Sequence, residues 1–223
     1  MRRIGVISDT HGTFDDCLKY FLKDVDEIWH AGDIGNVETA EAIAAFKKYL
    51  TQPVPGNELS DEQMVRYTDA LVQLMNTYQS KGEPEACVIV LKEVFQASPI
   101  LQKNYLRDYY SVMGYALSRT ENMKEAEETM LKAFTLPLHQ ATPERYFRDY
   151  AYAAAVFYSN PDYQTEVIDW CKEALAQAEF CKKTSGKQWV MAMLGSLYKR
   201  NGLIDKALDF FSTKQGGSTG KEG

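Results

Sequence analysis

The spacing of hydrophobic positions changes between the beginning of the chain and the remainder. Residues 3–7 form a short run rich in β-branched residues, which predicts a buried strand, and we predict a second strand at Glu27-Ile28-Trp29-His30. Residues 14–22 and 37–50 carry apolar side chains on one helical side, which predicts two helices. The order strand, helix, strand, helix predicts two parallel strands joined by a right-handed crossover.

From residue 60 onward the apolar positions follow a helical period throughout, so we predict helices separated by short turns. Ser60 and Gln63 form a capping box that starts one helix. Thr142 and Pro143 start another, because proline is favoured at the first helical position. Turn residues interrupt the helical pattern at Gly82, Asn122, Asn160-Pro161 and Gly202.

The helical part contains an internal repeat. Corresponding small or apolar residues at Met75, Gly114, Ala154 and Gly195 are 39, 40 and 41 residues apart. The last unit has an aromatic residue, a turn glycine, an alanine and a second aromatic residue at regular positions, namely Tyr198, Gly202, Ala207 and Phe211. This pattern resembles the tetratricopeptide repeat in a lengthened form, since the usual period of that family is about 34 residues.

The resemblance implies a mostly α protein, a tetratricopeptide-like α-α solenoid with a small N-terminal βαβα segment. We expect three regions: residues 1–52, residues 58–213 with the helical repeats, and a flexible tail at 214–223. In such repeats the first helix of each pair lines a concave groove that binds a protein or peptide. The groove residues would be Asn76, Gln79, Tyr115, Arg119, Arg148, Lys199 and Arg200. The alternative for each of these residues is a solvated helix face.

The two predicted strands each lead into residues that can bind metal. Asp9 and His11 follow the first strand, and Asp33 follows the second. Ligands gather at the carboxyl ends of parallel strands, so these side chains are expected at one sheet edge. Carboxylates and imidazole together suit Mn²⁺, Fe²⁺ or Zn²⁺.

The segments Ile7-Ser8-Asp9-Thr10-His11-Gly12 and His30-Ala31-Gly32-Asp33-Ile34-Gly35 resemble the opening of the calcineurin-like metallophosphoesterases. The resemblance implies that Asp9 and His11 bind one metal ion and that Asp33 bridges two. Asn57, in Pro55-Gly56-Asn57-Glu58, is the candidate for the family's third motif, although Glu58 replaces the usual His or Asp. The later histidine motifs are missing, because the chain has only three histidines.

Composition and charge limit the function further. The net charge of -6 argues against nucleic-acid binding. The start of the chain lacks the apolar core of a signal peptide, and no run is long enough to span a bilayer. We therefore expect a cytoplasmic protein that binds neither nucleic acid nor membrane. The four cysteines form no C-x-x-C pair, which indicates buried reduced thiols.

Three functions remain open at this stage. The first is a non-enzymatic interaction scaffold with an incomplete metal site, because the helical repeats cover most of the chain. The second is a metal-dependent phosphodiesterase of the calcineurin-like class, using Mn²⁺ or another divalent transition metal. The third is a fusion of unrelated segments without a function of its own, with a seam in the helix at 37–50.

Overall fold

Two short parallel strands are the first elements that the computed structural model describes. Strand β1, Ile4–Ile7, pairs with β2, Glu27–His30, with Ile4 opposite Glu27 and Ile7 opposite His30. Both predicted strands and their parallel pairing are therefore confirmed. The structure describes residues 4–7, 27–30, 40–54, 59–139, 141–181 and 186–206. The predicted helix at 14–22 and tail at 214–223 lie outside these ranges.

Among the described residues up to 103, four helices follow. They are α1 (Ala40–Thr51), α2 (Asp61–Ser80), α3 (Pro84–Ala97) and the short α4 (Pro99–Lys103). The predicted capping box at the start of α2 is present, since Ser60 accepts from the Gln63 backbone and the Gln63 side chain accepts from the Ser60 backbone. The short helix α4, which begins at Pro99, was not among the predicted elements.

The turns at Gly82 and Gly202 use the same backbone geometry. Gly82 has φ of +71° and Gly202 has φ of +70°, in the left-handed region where a side chain is strained. Next to Gly82, the Glu83 amide donates to the Tyr78 carbonyl at 3.0 Å. Next to Gly202, the Leu203 amide donates to the Tyr198 carbonyl at 2.8 Å. This bond from the residue after the glycine closes the helix end and turns the chain into the next helix.

A buried tyrosine joins three elements of the first part of the chain. The Tyr67 hydroxyl on α2 donates to the Leu50 carbonyl of α1 at 2.8 Å. Its oxygen lies 2.6 Å from the hydroxyl of Ser98, which follows α3. Because the single Tyr67 proton is used on Leu50, Ser98 must be the donor in the second bond. Helix α1 thus belongs to the same packed layer as the α2/α3 pair.

Five further helices of 12 to 15 residues are described in the rest of the chain. They are α5 (Leu106–Leu117), α6 (Met123–Phe134), α7 (Pro143–Phe157), α8 (Gln164–Ala178) and α9 (Lys187–Arg200). A 3₁₀ turn, Pro161–Tyr163, leads into α8. Helices α5 and α6 pack as one pair and α7 and α8 as the next; α7 also contacts both helices of the preceding pair. Such stacking of helix pairs is the arrangement of tetratricopeptide-like repeats, so the predicted fold class is confirmed.

Close approach within the α5/α6 pair depends on Gly114. A Cβ atom at this position would lie 3.1 Å from the backbone nitrogen of Met130 and 3.2 Å from the carbonyl oxygen of Ala126. These distances are shorter than ordinary contacts and involve backbone atoms that cannot rotate away. The small residue predicted at this repeat position is therefore required by packing.

The chain divides into two compact units, Met1–Gln102 and Lys103–Gly223. The domain boundary at 52–58, which was inferred from motif content, stays a prediction. Among the helices described, none combines the length and the apolar character required to cross a membrane.

Candidate protein-binding face

Three aromatic side chains from three different helices meet in the second unit. The rings of Tyr115 on α5 and Tyr152 on α7 stack with centroids 4.3 Å apart and planes 5° apart. Trp189 on α9 contacts the same Tyr115 ring edge-on, with centroids 6.1 Å apart. Helices α5, α7 and α9 are the first helices of successive pairs. The cluster is therefore built by the stacking of the pairs and by no single helix alone.

Two arginines flank the stacked tyrosines. Arg119 lies one helical turn after Tyr115, and Arg148 lies one turn before Tyr152. Burial raises the pKa of both phenols, while Arg119 opposes that rise in the pKa of Tyr115 and Arg148 opposes it in the pKa of Tyr152. Both phenols are consequently neutral at ordinary pH. We call Tyr115, Arg119, Arg148, Tyr152 and Trp189 the aromatic–arginine face.

A buried ion network holds the base of this face. Asp108 on α5 is 1% exposed and accepts from two arginines of α7. Arg145 reaches both carboxylate oxygens of Asp108, one of them from Nε at 2.9 Å, and Arg148 donates to one. Arg145 also donates to the carbonyl of His139 in the link before α7. A bidentate pair of this kind fixes the orientation of both side chains.

A second ion pair lies beside the first. Arg107 donates from Nε to Asp149 at 2.8 Å and from a terminal nitrogen to the carbonyl of Leu136 at 2.9 Å. Its guanidinium also lies 5.0 Å from the centroid of the Phe134 ring. Burial raises the pKa of Asp149, although Arg148 and Arg107 oppose the rise. Arg107 therefore ties α5 to α7 and to the segment that follows α6.

The network carries more positive than negative charge. Among the residues that the structure describes, Arg107, Arg145 and Arg148 pair with two carboxylates, Asp108 and Asp149. Arg119 is exposed, and within the described part of the chain its guanidinium makes neither a hydrogen bond nor an ion pair. This surface is thus locally basic in a chain whose net charge is -6.

The structure brings together three of the seven predicted groove residues, namely Tyr115, Arg119 and Arg148. Lys199 is exposed at the end of α9, whereas Arg200 donates to the Tyr158 carbonyl at 2.6 Å and to the Gln164 side chain. Arg200 is therefore occupied in joining α9 to the α7/α8 turn. The assignment of the groove as a binding site stays a prediction.

The remaining two predicted groove residues are in the first unit. Asn76 is exposed on α2, and Gln79 has a buried amide nitrogen without a hydrogen-bond partner in the described residues.

The predicted metal ligands Asp9, His11, Asp33 and Asn57 all lie outside the described residues. Within the ranges that are described, no group of three or more His, Cys, Asp or Glu side chains could hold a metal ion. Cys87 and Cys171 are free and buried, and Cys181 is free and half-buried. Burial raises the pKa of the Cys87 and Cys171 thiols to about 12. Both thiols are therefore protonated at neutral pH, and a protonated thiol is a poor nucleophile.

Sequence reasoning missed six residues of the face and of the ion network at its base, namely Arg107, Asp108, Arg145, Asp149, Tyr152 and Trp189. A signal for two of them was available, because Arg145, Arg148 and Tyr152 follow the predicted start at Thr142 with helical spacing. Asp108 gives no such signal, since its partner Arg145 is 37 positions away.

Comparison with protein families gives two matches. The model of the calcineurin-like phosphoesterase superfamily domain matches residues 1–90, and that of the tetratricopeptide repeat matches residues 108–138. Both predicted resemblances are confirmed. The first match continues over α2 and into α3, beyond the region 1–52 in which the motifs were found. The second covers the α5/α6 pair.

Solved structures similar to this chain include MamA, at 18% identity over 90% of this chain and 92% of that one, with a TM-score of 0.48. A putative kinesin light chain from Podosopora anserina with nearly identical TPR-like repeats is 16% identical over 77% of this chain and 83% of its own, with a TM-score of 0.46. A search of curated proteins gave no match.

Proposed function

We propose that this protein is a non-enzymatic scaffold that binds a protein or peptide partner on the aromatic–arginine face. The observation that carries the proposal is the cluster of Tyr115, Tyr152 and Trp189, assembled from three successive first helices. Trp189 is 38% exposed, so a large aromatic side chain is available to a partner. Tyrosine, tryptophan and arginine are the residues that most often dominate the energy of protein interfaces.

Rigidity supports the same proposal. The buried ion network fixes α5 against α7 directly beneath the face, so the two stacked tyrosines are held in place before a partner arrives. A preorganised surface binds more tightly, because less conformational entropy is lost on association.

The test is selection of binding peptides from a displayed random library on the purified protein. Selected peptides should bind the wild type and lose most of their affinity for Trp189→Ala and for Tyr115→Ala. Phe180→Ala is the matched control, because Phe180 is 72% exposed at the end of α8 and is not part of the face. Recovery of no peptide, or equal binding to Trp189→Ala and Phe180→Ala, would contradict the proposal.

The N-terminal match supports a second, separate proposal: Asp9, His11, Asp33 and Asn57 bind one divalent transition metal such as Mn²⁺. The family match and the parallel strands β1 and β2, which precede Asp9 and Asp33, favour it. A single-metal site lacks the second ion that clamps the attacking and leaving oxygens, so we expect binding without turnover. Calorimetric titration with Mn²⁺ should show heat that Asp33→Ala lacks. Mn²⁺-dependent hydrolysis of an aryl phosphodiester, absent in Asp33→Ala, would instead establish the phosphodiesterase.

A further inference from the structure

A second aromatic surface lies on the side of α7 that points away from the aromatic–arginine face. Tyr146 and Tyr150 are one helical turn apart, and their rings stack with planes 19° apart and centroids 6.3 Å apart. Arg148 and Tyr152, which belong to the first face, are each two positions later in the chain. Residues two apart on a helix point in nearly opposite directions, so the second surface is separate from the first.

Helices α6 and α8, the second helices of two successive pairs, extend this surface. The ring centroid of Phe134, at the end of α6, lies 5.9 Å from that of Tyr150 and 5.7 Å from that of Trp170 on α8. The rings of Phe134, Tyr146, Tyr150 and Trp170 are all half-buried, so part of their aromatic area stays in contact with solvent. Contiguous apolar area at a surface marks an interaction site more often than scattered apolar side chains do.

Two carboxylates border the indole of Trp170. Glu166 is four positions before it and Glu173 is three positions after it, so both lie on the same side of α8 as the indole. Both are exposed, and neither makes a hydrogen bond or an ion pair with the residues that the structure describes. Glu173 is also near the Tyr150 phenol, because it adds to the rise in the pKa of Tyr150 that burial causes. We call this surface the acidic aromatic patch, consisting of Phe134, Tyr146, Tyr150, Glu166, Trp170 and Glu173.

One ring of the patch already binds a cation of the chain itself. The Arg107 guanidinium lies 5.0 Å from the centroid of Phe134 and donates to the Asp149 carboxylate at 2.8 Å. An aromatic ring and a carboxylate thus hold one arginine together. Indole attracts cations more strongly than the other aromatic rings do, yet within the described ranges no lysine or arginine lies over Trp170. Trp170 and its two flanking carboxylates therefore have the chemistry to bind a cation from another molecule.

The spacing of the two carboxylates limits what this cation belongs to. Glu166 and Glu173 are seven positions apart, which is about 10 Å along the axis of α8. A single metal ion needs its ligand oxygens within about 2–2.6 Å, so carboxylates at that separation do not share one. In a polyproline II segment, side chains three positions apart lie on one side and are about 9 Å apart. Two arginines at that spacing match the two carboxylates.

We propose that the acidic aromatic patch binds a basic protein segment in the polyproline II conformation, with two arginines three positions apart that pair with Glu166 and Glu173 and lie against Trp170. Prolines between the arginines favour this conformation and pack on the aromatic rings. The inference goes beyond the proposed scaffold function, because it uses no residue of the aromatic–arginine face and assigns a second partner to the other side of α7.

The experiment measures the affinity of three labelled peptides for the full chain by fluorescence anisotropy. The peptides contain Arg-Pro-Pro-Arg, Gln-Pro-Pro-Gln, or the first composition with its two arginines adjacent. We expect the first peptide to bind about tenfold more tightly than the glutamine peptide, as two exposed ion pairs and a cation–π contact provide. The peptide with adjacent arginines should bind several-fold more weakly than the first, because it reaches only one carboxylate at a time.

Matched variants locate the effect on the protein. Glu173→Gln should weaken the Arg-Pro-Pro-Arg peptide about threefold and leave the glutamine peptide unchanged. Glu121→Gln removes the same charge from an exposed position in the turn before α6, so it should change neither affinity. Trp170→Phe keeps an aromatic ring but attracts a cation less, and we expect a further several-fold loss. Because Glu173 is exposed, its replacement should leave the circular dichroism spectrum and the unfolding midpoint unchanged.

Each contrary result overturns the inference in a recognisable way. Equal binding of the arginine and glutamine peptides shows that the carboxylates do not select the ligand. Equal losses in Glu173→Gln and Glu121→Gln show a general attraction to an acidic chain. Loss of binding in Trp189→Ala but not in Glu173→Gln places the peptide on the aromatic–arginine face, which supports the scaffold function alone. Self-association that Glu173→Gln abolishes in sedimentation, without peptide binding, identifies a second copy of this chain as the occupant.

Discussion

The two units of the molecule tie three elements together by different chemistry. In the first unit, Tyr67 joins α1, α2 and Ser98 through neutral hydroxyl and carbonyl groups. In the second, Asp108 and Arg145 join α5, α7 and the preceding link through full charges. A neutral joint loses only its own hydrogen bonds when one member is removed, whereas an ionic joint leaves its partners charged and buried.

The two joints also differ in whether they reach a surface that a ligand can contact. The neutral joint is closed, since Tyr67 and Ser98 are both buried. The ionic joint extends to Arg148, which reaches the aromatic–arginine face. A change in the ionic joint of the second unit therefore alters both its stability and the charge of its surface. A change at Tyr67 in the first unit alters stability alone.

The largest expected effect tests the ionic joint. Asp108→Ala leaves Arg145 and Arg148 without their carboxylate, and we expect the free energy of unfolding to fall by about 3–5 kcal/mol. The measurement is urea unfolding followed by the rate of labelling of Cys171, a buried thiol of the same unit. Asp169→Ala is the control, because its carboxylate pairs with Lys172 at the exposed surface and should change stability by less than about 1 kcal/mol. Equal midpoints for the two variants would show that the network adds no stability.

The next effect concerns packing between paired helices. Gly114→Ala places a methyl group against the Met130 backbone nitrogen, and we expect a loss of about 1–3 kcal/mol in spite of the better helix propensity of alanine. Ser196→Ala is the control, since Ser196 is exposed on α9 and its replacement should be neutral or slightly stabilising. Unfolding by urea measures both. If Gly114→Ala raises the free energy of unfolding, α5 and α6 can move apart to admit the methyl group without losing stability.

A smaller effect tests the neutral joint. Tyr67→Phe removes the hydroxyl that serves Leu50 and Ser98, so we expect a loss of about 1–2 kcal/mol. The readout is labelling of Cys87, the buried thiol of the first unit, during urea unfolding. Tyr158→Phe serves as the control, because it removes a hydroxyl that makes no hydrogen bond to any of the described residues. The comparison between the units fails if Tyr67→Phe destabilises as much as Asp108→Ala.

The smallest effect is a pH dependence. Burial holds the pKa of Asp149 above its ordinary 3.8, so the folded protein retains this proton more tightly than the unfolded chain. The resulting contribution to stability is fully present below 3.8 and is lost as the pH rises through the folded-state pKa. Asp149→Asn lacks this titration. Relative to the variant, the wild type should therefore lose stability as the pH of urea unfolding is raised from about 3.8 towards neutrality. An increase instead would show that the ion pair with Arg107 outweighs burial.

Local signals in the sequence predicted local structure well. The capping box at Ser60, the proline start at Thr142 and the turn glycines Gly82 and Gly202 act over a few residues, and all four are present. The repeat pattern also placed a small residue at Gly114, where the structure has a close helix contact. These features depend on nearest neighbours along the chain or on a regular period.

The candidate site was predicted less completely for a physical reason. Tyr115, Arg119 and Arg148 were assigned to the groove from their places on the first helices of the predicted repeats. Asp108 and Asp149 pair with arginines 37 to 42 positions away, and no local pattern reports such a partner. Buried carboxylates are also contrary to the expectation that charges lie at the surface. The predicted metal ligands at the N-terminus lie outside the described residues and stay a prediction.

The contact between Trp189 and Tyr115 has an optical consequence. Light absorbed by the two stacked tyrosines can pass to the neighbouring indole, because tyrosine emission overlaps tryptophan absorption and the Tyr115 and Trp189 rings are 6.1 Å apart. The indole of Trp189 is also partly exposed, so the wavelength of its fluorescence emission depends on whether water or another molecule contacts it. The protein therefore carries, at the surface where we expect a partner, a natural fluorophore that reports occupancy without an attached dye.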